Sequence, residues 1–386
     1  MDILQMLNAP TAQERLDNLE RLLRTETKKP DVSDVFVNNH IHTTYSFSPY
    51  SPTAAVWFAR AATLPTAGIV DHDSIAGARE FLRAGELAGV ATTVGTECRV
   101  HLRGTGLEDR YINNTDQKGI AYVALHGVPH GQIDTVQAFF APLRAKRNER
   151  NRKMTDNISA LLSPHGIHLD FDADILPLSQ AADGGSVTER HLIFALAKRI
   201  IAVCGRERVA PFVEQALSVP LSDKQRAMLT SPDNPYFAYD LLGVLKSTFV
   251  ERIYVDADAE CVSLAEIAAF SKQIDALLCY AYLGDVQTSV TGDKRSGKFE
   301  DGYLEELFAV LHKHGVDGIT YMPSRNIPAQ LKRVRALCER DGFLQISGED
   351  VNSPRQSFVC PQLADPVFRN LVDATWALIR RERERS

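Results

Sequence analysis

A chain of 386 residues with a formal net charge of −6 can bury one large core or two modest ones, and its balance is acidic. That charge argues against a generic nucleic-acid or membrane-surface binder, because phosphate backbones select net basic surfaces. The charged start is no signal peptide, no apolar run is long enough to span a bilayer, and six scattered cysteines without a CxxC pair read as reduced, buried thiols, so a cytoplasmic setting is expected.

Residues 1–32 read as a helical arm. Thr11-Ala-Gln-Glu14 has capping-box spacing, and Leu16, Leu19, Leu22 and Leu23 fall on one helical face suited to packing against the main domain. A regular alternation then begins. Apolar runs at 35–39, 67–70, 91–95 and 120–125, with Ile75–Gly89 as the clearest helix, make up a first barrel part over 33–139. A mostly helical tract follows over 140–261, and its Arg144–Lys153 charge run reads as a solvated helix face. The alternation resumes over 262–386 with Leu277–Leu283, Gly315–Tyr321 and Gly342–Ser347, which brings the candidate strands to seven. Strands alternating with helices predict parallel pairing through right-handed crossovers. The last helix opens at Asp365-Pro366, buries Val367, Leu371, Val372 and Trp376, and ends in a solvated basic stretch, Arg380 to Arg385.

In barrels of parallel strands the chemistry collects where the strands end. The first run ends in His40-Ile-His42, and in extended backbone side chains at i and i+2 share a face, so two imidazoles meet at one point. The second ends in Asp71-His72-Asp73, the third in Glu97, the fourth in His126 and the seventh in Gly348-Glu-Asp350. One strand-end histidine is ordinarily a hydrogen-bonding group; the repetition over several strands points to metal. Mixed imidazole and carboxylate sets favour zinc, manganese or iron over magnesium or calcium, and a carboxylate can bridge two ions. Candidate cations for an anionic substrate are Lys294, Arg295 and Lys298 in one glycine-bearing loop, Arg325, and Arg190 beside His191.

Together these pieces resemble the polymerase and histidinol phosphatase (PHP) domain. The matching stretches are His40-Ile-His42 with Ser46, Val70-Asp-His-Asp73, Gly95-Thr-Glu97, His126, Arg190-His191 opening an apolar helix, and Gly348-Glu-Asp350, in the family's order and covering most of the chain beyond the arm. The resemblance implies a distorted (β/α)7 barrel, here with a helical insertion and an N-terminal helical arm, and metal-dependent phosphoesterase activity. It implies that His40, His42, Glu97 and Asp350 hold one divalent metal, and that Glu97 bridges to a second held by His126 and His191, with His101 and His130 as competitors of His126. The two ions would be zinc, manganese or iron. Where the family has Ser-Asp-Gly this chain has Ser46-Phe47-Ser48, and where it has Asp-x-His this chain has Asp350-Val351-Asn352, so a third metal beside His72 is expected to be missing.

The expected function is hydrolysis of a small phosphomonoester or phosphodiester by metal-activated water, without membrane or nucleic-acid partners. Arg190, Lys294, Arg295 and Arg325 would hold the phosphate, and His72, Asp73 or water would protonate the leaving group. Two alternatives compete with it. One is a metal-binding barrel that has lost catalysis and serves as a binding or regulatory module. The other is an amide or lactone hydrolase, against which stand the Asp71-His72-Asp73 run and the lack of a strand-borne lysine.

Overall fold

The computed structural model describes residues 2–27, 30–286 and 297–386. Among them seven strands form one sheet: β1 (Thr66–His72), β2 (Ala91–His101), β3 (Ile120–His126), β4 (Val262–Ser263), β5 (Leu277–Ala281), β6 (Gly318–Tyr321) and β7 (Leu344–Ser347). The order is β1-β2-β3-β5-β6-β7, with the short β4 attached to the tip of β2. The sheet curls until the segment around Ile41 reaches both of its ends. Ile41 bridges in parallel to Ile69 of β1 and to Val351 beyond β7, through Ile41 N–H to Gly68 O and His42 N–H to Val351 O, each 3.0 Å. The expected first strand, 35–39, is therefore irregular backbone that reaches the sheet only at its end.

The expectation of uniform parallel pairing fails at β3, which runs antiparallel to both β2 and β5. The reason lies in the connection. A parallel neighbour needs a crossover, whereas an antiparallel one needs only a loop, and 102–119 between β2 and β3 contains no helix. The pairs β1–β2, β5–β6 and β6–β7 are parallel, each joined through a helix: Ala78–Ala88, Leu304–Lys313 and Pro328–Asp341.

The main core lies between the sheet and these helices. The arm packs on it as helices Ile3–Leu7 and Ala12–Thr25. Thr11 and Glu14 form the capping box, Leu7 and Leu19 are fully buried, and Arg15 pairs with buried Glu80, Nε to Oε1 2.8 Å. A second core is built from residues 154–253, and among the described residues Phe47 is its one buried member from outside that span. Its long helix, Ile133–Leu162, overturns the solvated reading of the charge run: Arg147 and Arg150 are only 2 % and 5 % exposed. At the other end, Asp365 caps a short turn, Pro366–Phe368, ahead of helix Arg369–Glu384. Leu371 and Val372 are buried there and Trp376 partly so, but Val367 is exposed, and Arg381 and Arg385 pair with Asp275. All six cysteines are buried free thiols.

Candidate metal centre

Ile41 is fully buried in the main core, so the alternation of extended backbone turns His40 and His42 to the opposite side. The chain leaving β7 passes so close that a Cβ on Gly348 would stand 2.5 Å from His40 Cβ, which is why that position takes no side chain. The ligand atoms of His40, His42 and Glu97 lie within 4.8 Å of one another. Glu97 reaches both rings, Oε1 to His40 Nε2 at 3.7 Å and Oε2 to His42 Nε2 at 3.9 Å. Asp350 Oδ1 lies 3.4 Å from His42 Nε2.

What holds His42 is a short polar chain. Its Nδ1 lies 3.3 Å from Ser46 Oγ, and Ser46 donates its hydroxyl to Asp71 at 2.6 Å. With that hydroxyl hydrogen committed to Asp71, Ser46 can only accept from His42, which puts the ring proton on Nδ1 and the lone pair on Nε2, facing Glu97 and Asp350. Thr43 donates to Asp71 twice, yet burial still pushes that carboxyl up to about 6. Burial lowers the His42 pKa against the pull of Asp350, so the imidazole is held in the neutral form a metal requires.

His72 stacks on His42 with ring centroids 4.7 Å apart. Its buried Nδ1 stands 3.1 Å from Glu97 Oε2 without forming a hydrogen bond, and burial drives its pKa well down, with His42 and Arg147 adding to the effect. Two imidazoles, a facing carboxylate and a second carboxylate beside them, with the unsatisfied His72 nitrogen at the edge, form a donor set that suits a borderline divalent cation.

The other expected residues are placed differently. Because β3 is antiparallel, His126 lies two residues past Ala124, the partner of Glu97, on the same face and one side-chain step toward the start of β5, where it pairs with Leu277. It is buried with Nε2 unsatisfied, and burial lowers its pKa to about 3, with His40 adding to the effect. His191 accepts the Thr188 N–H on Nδ1 at 3.0 Å, capping its own helix, while Phe47 packs edge-on against the ring. That acceptor role places the ring proton on Nε2 and leaves His191, so arranged, no lone pair to offer. Neither histidine belongs to the group formed by His40, His42 and Glu97. Asp73 turns away into a buried ion pair with Arg147, 2.9 Å. Phe47, at φ 95°, spends its side chain on the second core, and Asn352 donates to Asp350 at 2.6 Å. Arg190 and Arg325 do reach the pocket; Lys294 and Arg295 lie outside the described residues.

The pocket above the histidines also takes in residues that strand-end reasoning missed, among them Arg99, Tyr122, Glu189 and Lys246. Arg99 was legible, since it follows Glu97 by two residues and must share its face; reading the strand as ending at 95 hid it. Arg99 and Arg150 each hold Glu189 at 2.7 Å, and Glu260 stands 3.8 and 3.4 Å from them, a buried cluster joining β2 to the helical tract.

No protein-family model and no curated protein matches the chain. Among solved structures, it is similar to a Bifidobacterium adolescentis protein named for an inferred metal-dependent phosphoesterase activity, at 19% identity and a TM-score of 0.57 over 92% of this chain and 98% of that one. It is also similar to an amidohydrolase from Chromobacterium violaceum, solved with bound sulfate and no metal, at 17% identity and a TM-score of 0.55 over 88% and 96% of the two chains. At these identities the likeness is one of fold.

Proposed function

We propose that this chain is a PHP-type, metal-dependent hydrolase that cleaves a small phosphoester. The observation that carries the reading is the convergence of His40, His42 and Glu97 at one point of a pocket that Arg99, Arg190 and Arg325 also line. His40, His42, Glu97 and Asp350 would hold one divalent ion. When bound there, such an ion supplies an activated water and a Lewis acid for a phosphoryl oxygen.

The chain's own residues do the rest. Asp71 and Ser46 keep the His42 lone pair aimed inward. Arg325 stands over Asp350, 3.9 Å away, and with Arg190 supplies the planar forks that match phosphate oxygens. A one-ion centre is the proposal, since the ligand atoms gathered within 4.8 Å of one another are those of His40, His42 and Glu97.

The test is metal analysis of protein purified without chelator, with turnover of small phosphoesters before and after chelation. One equivalent of zinc, manganese or iron and chelator-sensitive turnover are expected, and Glu97→Ala should lose the metal. Metal-loaded protein that ignores phosphoesters but cleaves amides or lactones would refute the substrate class. Inertness toward all three would favour the binding module.

A further inference from the structure

We propose that Tyr122 is a catalytic residue, the donor of the proton that the leaving-group oxygen takes up; this rests on the phosphoester reading above. The register makes the case first. Glu97 pairs with His72, the last residue of β1, and β2 runs on beyond it to His101. Arg99 therefore stands one side-chain step, about 7 Å, past Glu97 on the same face. Tyr122 lies directly across from Arg99 in the antiparallel pair. It is the single residue of β3 that keeps appreciable exposure, and that exposure is to the pocket. Its ring centroid is 5.7 Å from that of His72.

The hydrogen bonding supplies the direction. Arg99 Nε–H donates to the Tyr122 oxygen at 3.0 Å, and Arg99 is itself locked by Glu189 at 2.7 Å. A guanidinium has no acceptor, so the phenol cannot return its hydrogen to Arg99 and must direct it elsewhere. The same Arg99 N–H would strengthen its bond to the oxygen as that proton leaves, because a charge-assisted bond replaces a neutral acceptor. Asp73, one of the donors that the sequence offered beside His72 and water, is tied to Arg147 outside the pocket.

The step balances without a further reagent. A water oxygen forms a bond to phosphorus, the bond from phosphorus to the alcohol oxygen breaks, and the Tyr122 proton moves to that oxygen. The proton released by the water returns to the phenolate through solvent.

The experiment compares the metal-loaded full-length protein and its Tyr122→Phe variant on phosphate monoesters of rising leaving-group basicity, from 4-nitrophenyl through phenyl to glycerol phosphate. General acid catalysis is worth roughly 100- to 10,000-fold, so Tyr122→Phe should lose that much kcat on the glycerol ester and only a few-fold on the nitrophenyl ester, whose anion departs unaided. Bound metal, measured by elemental analysis, should stay unchanged, and wild-type kcat should depend only shallowly on leaving-group basicity. An equal loss across the series, or no loss, overturns the role of Tyr122 while leaving the hydrolase reading standing. Loss of metal from the variant would make Tyr122 a ligand and overturns it as well. A metal-loaded wild type that cleaves none of these esters overturns the phosphoester reading, and Tyr122's role with it.

Discussion

Arg147→Met isolates the charge that ties the helical tract to the end of β1. Arg147 Nη1 stands 2.9 Å from Asp73 Oδ2, and the two side chains are 2 % and 1 % exposed. Removing one partner of a buried pair leaves the other charged and dry, which costs about 3–5 kcal/mol. Arg99 and Arg144 also favour the Asp73 carboxylate, so the lower part of that range is expected, about 3 kcal/mol, or roughly a hundredfold in the folding equilibrium. Burial already raises the Asp73 pKa, with Arg147 as its largest opposing partner, and the variant should shift it further upward. The assay is urea unfolding of Arg147→Met, Asp73→Asn and the double variant, followed by near-ultraviolet circular dichroism at neutral pH. The double variant should recover most of the loss, since two neutral groups replace the pair. If Arg147→Met alone is as stable as wild type, or the double variant is no better than the single, the buried ion pair does not hold the tract to the sheet.

Ser46→Ala removes the hydroxyl that links His42 Nδ1 to Asp71, and losses of this kind lower metal affinity about 10- to 100-fold; competition against a chelator would measure it, and unchanged affinity would refute the orienting role. Glu300 is fully buried, accepting from Leu283 N–H, Gly284 N–H and Tyr280 O–H, and burial pushes its pKa up to about 7. A carboxyl raised above its unfolded value of about 4.5 favours the folded state fully below that value and loses the contribution as pH rises through about 7. The stability difference between wild type and Glu300→Gln should therefore shift by about 3 kcal/mol across that window in favour of the variant as pH rises, and parallel pH profiles from unfolding curves would contradict it.

Much of the site was legible in the sequence because its signals are local. The i, i+2 spacing of His40 and His42 needs only extended backbone to bring two rings to one side, and Glu97 and Asp350 close the apolar runs of β2 and β7; β1, beside β2, and the chain just past β7 both bridge to Ile41. The capping box at Thr11 and Glu14 is equally local, a matter of one helical turn. Strand direction is not local. Nothing in Ile120–His126 itself says which way it runs, and the reversal of β3 sets Tyr122 opposite Arg99 and Ala124 opposite Glu97, with His126 one side-chain step beyond. Burial of charge is decided in the same non-local way. The run from Arg144 to Lys153 has the composition of a solvated face, yet Asp73, Glu189 and Glu260 arrive from distant segments to neutralise Arg147 and Arg150. A carboxylate brought from far along the chain makes such burial tolerable, because a paired charge loses far less on leaving water than a lone one, and only the tertiary structure determines whether it arrives.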